Sequence, residues 1–180
     1  RSIISNQAPI EVYAGKGDWG LACNTVHFLD LMTWGRGETL LKIDTSNLDN
    51  TWVKSKRRGF WEISGTLKAN YSNGSKLVLE SCLDGELGNS PMKIKTIKGE
   101  WIVDDLLEGF AKGPSGVCLP IMEERVSDLS TNLVKSILEN GQCDLPNVND
   151  SVHIHRIFLT AMLDHWNKNS IKINNYVPIT

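Results

Sequence analysis

The sequence has no surplus of positive charge: 19 Lys and Arg stand against 21 Asp and Glu, a formal net charge of −2 over 180 residues. That balance lacks the electrostatic footprint of a nucleic-acid binder, so no nucleic-acid partner is expected. No apolar run approaches the roughly 18–20 residues needed to cross a bilayer. The opening segment from Arg1 to Gln7 has neither the apolar stretch nor the small-residue cleavage site of a secretory signal. No membrane partner and a cytoplasmic location are therefore expected. Cysteine is scarce: Cys23, Cys82, Cys118 and Cys143 lie far apart with no C-x-x-C pair, which argues against a zinc or redox motif. A chain of this length needs no disulfide staple, so reduced thiols are the expectation. Internal repeats and low-complexity segments are also missing, and 41% hydrophobic residues at so low a net charge exclude a disordered chain. One globular domain follows. The first residue is Arg1 and not Met, which reads as a piece of something longer.

Hydrophobic spacing supplies the organisation. Pro9 to Tyr13 alternates as a short strand, and Gly15-Lys16-Gly17-Asp18 breaks it. From Leu21 to about Trp34 the apolar residues recur at three and four, with Cys23, His27, Asp30 and Trp34 on one stripe. This predicts a helix buried on several sides and ended at Gly35-Arg36-Gly37. Trp61, Ile63, Gly65, Leu67, Ala69 and Tyr71 alternate with polar residues, which predicts a strand with one buried face. Asn73-Gly74 then signals a tight hairpin, because a type I′ turn needs positive φ at both central residues. The return strand runs over Lys76 to Leu83. Pro91 to Ile97 with Glu100 to Asp104 forms another hairpin around Lys98-Gly99, and Thr39 to Ile43 one more strand.

The last third reads as helical. Met122, Val126, Leu129, Leu133 and Ile137 form a stripe stopped at Asn140-Gly141. A second helix, capped by Asp150 or Ser151, carries Ile154, Ile157/Phe158, Ala161 and His165. The tail from Ile171 is extended. The fold class that results is α+β in two layers: a mainly antiparallel sheet of four to six strands, with the two C-terminal helices able to cover one face.

The richest segment for chemistry runs from Gly17 to Leu31. Cys23 and His27 are four apart, so on a helix their side chains lie one above the other and can share a substrate atom. Trp19, Gly17 and Gly20 precede that helix and would let a ligand approach its N-terminal N–H groups. The plainer reading makes His27 a hydrogen-bonded core residue. A Cys and a His at this spacing also match two ligands of a metal site, but no other Cys/His cluster completes one, so no metal is expected. A Cys23/His27 thiol hydrolase is a further reading. Gly15-x-Gly17-x-x-Gly20 has the spelling of a dinucleotide fingerprint without a βαβ unit or a downstream acidic partner, and reads as turn chemistry. Lys54, Lys56, Arg57 and Arg58 form a basic turn, solvated in the plain reading and a contact for a phosphate in the other. His153 and His155 fall on different sides of a helix and do not share a metal, while His165 and Trp166 read as packing.

Gly20-Leu21-Ala22-Cys23-Asn24-Thr25-Val26-His27-Phe28-Leu29-Asp30-Leu31 resembles the G-x-x-D-x-G-x-H-x-x-D stretch that opens the main helix of the C-terminal domain in the Gfo/Idh/MocA family of sugar and polyol dehydrogenases. The likeness continues through the turn-rich sheet, the two helices and the tail ending in Val177-Pro178-Ile179-Thr180. It implies that residues 1–8 end a linker from an N-terminal Rossmann domain and that 9–180 form a substrate-binding and oligomerisation domain. The family histidine falls on His27, beside the substrate as general acid/base, with Trp19, Cys23 and Asn24 lining the substrate side. The family aspartate falls on Cys23, a departure, because a thiol is a poor acceptor beside a carboxylate. The implied cofactor is NAD or NADP in the full-length protein, with none held tightly by this chain alone. The implied partners are a small sugar-like substrate and a second subunit against the open sheet face. A non-catalytic binding or assembly domain of the same fold is the alternative, since this chain contains neither a Rossmann fingerprint nor the family's E-K-P segment.

Overall fold

The computed structural model describes residues 8–83, 92–103, 110–120, 126–143, 145–170 and 173–179, with residues 126–129 described by backbone only. Among the described residues, ten strands and three α-helices run in the order β1 (Glu11–Gly15), α1 (Leu21–Arg36), β2 (Leu40–Leu48), β3 (Val53–Lys54), β4 (Trp61–Glu62), β5 (Gly65–Tyr71), β6 (Lys76–Ser81), β7 (Met92–Thr96), β8 (Gly99–Val103), β9 (Phe110–Lys112), β10 (Cys118–Pro120), α2 (Val126–Asn140) and α3 (Val148–Asn169). Eight strands form one sheet in the order β10-β9-β8-β7-β1-β6-β5-β2, and β3 with β4 makes a separate hairpin. Every pairing is antiparallel except β1 with β6. The fold class is α+β, a mainly antiparallel sheet with helices on one face.

Register explains which face is covered. Ile94, Val12, Leu77 and Ala69 lie side by side across four strands, and Ala14, Leu79 and Leu67 form the next row. All seven are buried, and α1 and α3 lie over them through Leu21, Leu29, Met32, Ile154, Phe158 and Met162. The opposite face presents Glu11, Tyr13, Lys68, Val78, Glu80, Lys93 and Lys95 around a shallow concavity. It has no covering layer among the described residues.

The alternation expected from Trp61 to Tyr71 holds, with Ile63, Leu67, Ala69 and Tyr71 all buried. The strand itself is cut in two. Gly65 has φ of 108°, and a Cβ there would press on the Asn47 and Leu48 backbone, so the chain turns at this point and β4 leaves the sheet. The hairpin at Asn73-Gly74 forms, but not as a type I′ turn: φ is positive at Gly74 and not at Asn73, and the Gly74 N–H donates to the Tyr71 carbonyl at 3.0 Å, which makes Ser72 and Asn73 the central residues. Helix α1 runs through Gly35 and ends at Gly37, whose N–H donates to the Thr33 carbonyl at 2.7 Å. The N-cap of helix α3 lies three to four residues earlier than the expected Asp150 or Ser151, at Asn147, whose Oδ1 accepts from the Asp150 N–H at 2.9 Å.

One expectation is corrected. The helices over the sheet are α1 and α3, not the two C-terminal ones, and on α2 Val134, Ile137 and Leu138 are exposed. The stripe read on α2 at Leu133 and Ile137 is amphipathic without being buried; Met122 lies outside the described residues.

Candidate functional site

The loop from Gly15 to Gly20 delivers the chain from β1 to α1. A Cβ on Gly15 would collide with the Glu80 carbonyl, so only glycine lets the loop lie this close to β6. Trp19 is fixed beside it: its indole N–H donates to the Glu80 carbonyl at 2.7 Å, and its ring meets Phe28 edge-on at 5.3 Å. Gly20, in left-handed conformation, is the N-cap of α1 and has no side chain to satisfy the helix. The carboxylate of Glu62, from β4, does so across the fold, accepting from the Ala22 N–H at 2.8 Å and the Cys23 N–H at 3.2 Å. Burial pushes the Glu62 carboxyl up, with Asp18 adding to the rise, while the backbone N–H bonds pull the other way. The Asn24 amide donates to the Trp19 carbonyl at 2.6 Å and closes the loop on the helix.

A cleft of about 380 Å³ opens at this junction. Trp19, Cys23 and Asn24 line it together with Asp18 and Glu62, and the β3–β4 hairpin supplies the facing wall through Lys54, Lys56 and Arg57. The three residues expected to line the substrate side thus share one cavity. His27 is not part of its lining. It sits one helical turn beyond Cys23, roughly 6 Å along the axis, on an exposed face next to half-open Leu31. The expectation that α1 is buried on several sides therefore narrows: Leu21, Ala22, Thr25, Leu29, Met32 and Gly35 face the core, and the His27 side is open.

Sequence reasoning missed Glu62. Its place in the alternating run marks it only as polar, and nothing local shows that β4 folds back to the start of α1. The basic turn was visible, but its position over this cleft was not.

The dinucleotide spelling Gly15-x-Gly17-x-x-Gly20 does follow a strand and open a helix. It does not fit a pyrophosphate. The chain goes on from α1 to β2, which lies at the sheet edge and pairs antiparallel to β5, so no βαβ unit exists here. The N–H groups of Ala22 and Cys23 are also taken by Glu62, so they are not open to a pyrophosphate.

Metal ligation finds no support among the described residues, where no three His, Cys, Asp or Glu side chains gather. His153 Nε2 bonds to the Leu40 carbonyl at 3.0 Å and His155 Nδ1 to the Ser151 carbonyl at 2.7 Å. His165 and Trp166 are buried against Trp52, with ring centroids 5.8 Å and 5.0 Å away, so packing is their role. No helix among the described residues is long and apolar enough to cross a membrane.

No family model and no curated protein matches this sequence. Among solved structures, UDP-N-acetylglucosamine 3-dehydrogenase from Acidithiobacillus ferrooxidans superposes with a TM-score of 0.58 at 14% identity, covering 86% of this chain and 51% of its own. An oxidoreductase from Sinorhizobium meliloti superposes at 0.55 with 10% identity, covering 93% of this chain and 56% of its own. The chain therefore spans about half the length of each, and what it shares with them is a fold.

Proposed function

We propose that this chain is the substrate-binding domain of an NAD(P)-dependent oxidoreductase acting on a sugar, polyol or sugar derivative, and that residues 1–8 end a linker from an N-terminal nucleotide-binding domain. The observation that carries the reading is the cleft at the start of α1, where Trp19, Cys23 and Asn24 meet under a helix whose next turn presents His27. The two neighbours are oxidoreductases, one named for a sugar nucleotide, which favours the same chemistry. Their additional length leaves room for a domain that holds the nicotinamide, which this chain's own glycine loop does not fit.

Oxidising an alcohol requires the hydroxyl proton to leave. His27 is the acceptor in this reading: it is exposed on α1 one turn beyond the cleft, and an imidazole is the side chain suited to that proton transfer. Trp19 offers an aromatic wall for the apolar face of a sugar ring, and Asn24 offers an amide to its hydroxyls. Cys23 stands where a carboxylate is expected, and Glu62 brings a carboxylate into the same cleft from β4. Replacing His27 by Ala in the longer protein should lower kcat by roughly a hundredfold or more while leaving the fold intact, the usual loss for a general acid/base. Steady-state hydride-transfer rates over a panel of sugars measure it; unchanged kcat removes His27 from the mechanism.

A non-catalytic domain of the same fold is the second reading, favoured by Cys23 in the carboxylate's place. The reading frame upstream of Arg1 separates them: a G-x-G-x-x-G after a strand and an E-K-P segment there support the dehydrogenase.

A further inference from the structure

The cleft is chemically two-sided. Its α1 side carries Asp18 and Asn24, and its hairpin side carries Lys54, Lys56 and Arg57, with Glu62 of the same hairpin reaching across to the start of α1. Glu62 accepts from the Ala22 and Cys23 N–H groups and, among the described residues, makes no ion pair with the cations of its hairpin. Among the described residues none of the three cations forms an ion pair; the pairs present join Arg36 to Glu38, Lys95 to Glu11 and Lys135 to Glu139. These three exposed cations outnumber the carboxylates of Asp18 and Glu62 in the same cleft, so the local field on the hairpin side favours an anion.

The wall is also held in place. β3 and β4 pair Val53 with Glu62 and Lys54 with Trp61. The turn between them closes through the Ser55 N–H on the Phe60 carbonyl at 2.9 Å and the Phe60 N–H on the Arg57 carbonyl at 3.2 Å. Trp61 anchors the hairpin from below: its N–H donates to the Pro178 carbonyl at 2.8 Å, and its ring meets Trp166 edge-on at 5.6 Å. A basic loop tied at both ends presents its charges with less loss of freedom than a floppy one.

We propose that Lys54, Lys56 and Arg57 bind a phosphate group of the ligand that enters this cleft, which makes the substrate class a phosphorylated sugar whose hydroxyl end faces α1. This rests on the reading of the cleft as the substrate site. Phosphate chemistry suits the pairing of two ammonium groups with one guanidinium, which forks onto two oxygens at once. The cavity volume falls near the lower end of small-ligand sites, roughly 300–1,000 Å³, and matches a monosaccharide with one charged substituent.

The test is an NMR titration of the 180-residue chain with glucose 1-phosphate, inorganic pyrophosphate, glucose and NAD, followed at the Ser55 to Phe60 amides and the Trp19 indole. The two simple phosphate ligands should give saturable shifts at these groups, glucose none, and affinity should fall with salt. Lys56→Ala and Arg57→Ala should each weaken glucose 1-phosphate about tenfold, the loss of one charge-assisted contact. Arg58→Ala, on the same turn but outside the cleft lining, should leave it unchanged. Absence of saturation, or equal weakening by Arg58→Ala, overturns the site. Tighter binding of NAD than of glucose 1-phosphate assigns the phosphate to a cofactor and overturns the substrate class. Hydride transfer plays no part in the readout, so a chain that binds phosphate yet belongs to an inert protein refutes the dehydrogenase reading and keeps the site.

Discussion

At the scale of single residues, burial decides more than identity does. His27 and His165 differ by solvent: the first is exposed on α1, the second is 6% exposed against Trp52. Asn169 approaches His165 Nε2 at 3.2 Å, and if its amide donates there the proton belongs on Nδ1, which has no partner among the described residues. Burial pushes this imidazole below its ordinary range, and Lys168 adds to the effect. As pH falls through about 6.5 the unfolded chain takes up a proton that the native state refuses, so stability drops from there down to the native value and levels off below it. Urea unfolding followed between about pH 7.5 and 5 should show this decline, and His165→Gln should flatten it. Identical slopes in the two proteins would show that His165 contributes no linkage. Glu62 is a second case in which burial favours the neutral form, with the bonds from two helix N–H groups opposing it.

At the scale of elements, the β3–β4 hairpin depends on α3. Trp166 meets both Trp52 at 5.0 Å and Trp61 at 5.6 Å, so one ring supports the approach to the hairpin and the strand that leaves it. Trp166→Ala should cost about 3–5 kcal/mol, the range for emptying a large aromatic site, and should speed hydrogen exchange of the Ser55 amide beyond the global effect. Denaturant midpoints and exchange rates report the two quantities, and a cost typical of surface substitutions would place the hairpin's support elsewhere. The elements most readable in the sequence were those whose signal is local. The alternation from Trp61 to Tyr71, the Asn73-Gly74 hairpin and the three-and-four spacing of α1 each follow from neighbouring residues. What escaped depends on distant partners. The break at Gly65 needs the Asn47 backbone beside it, the parallel pairing of β1 with β6 joins segments 65 residues apart at Glu11 and Lys76, and the α2 stripe is amphipathic without burial. The candidate site divides the same way: Trp19, Cys23 and Asn24 are contiguous enough to be grouped by sequence, whereas Glu62 and the basic wall reach the cleft only through the tertiary path of β3 and β4.

At the scale of the molecule, the two faces of the sheet have different fates. One is sealed by α1 and α3; the other is open and carries both signs of charge, Glu11, Glu80 and Glu100 among Lys16, Lys68, Lys93 and Lys95, around Tyr13 and Val78. Tyr13 is bonded to Glu80 there, and burial, with Glu80 beside it, pushes its phenol up to about 12, so it stays a neutral donor throughout the physiological range. Intermixed charges of this kind suit a two-fold contact, in which lysines of one copy meet glutamates of the other and little net charge accumulates. The expectation of a second subunit on this face becomes a measurable one. Sedimentation velocity over a micromolar to sub-millimolar series should show a monomer passing to a dimer, with the midpoint moving to higher concentration as salt is added. Lys93→Glu, at an exposed strand position, should weaken that association without changing the denaturation midpoint appreciably, because a surface substitution away from packing contacts typically stays within about 0.5 kcal/mol. A single monomeric species across the whole series would leave the open face to some other layer, and dimerisation that survives Lys93→Glu unchanged would move the contact off this face.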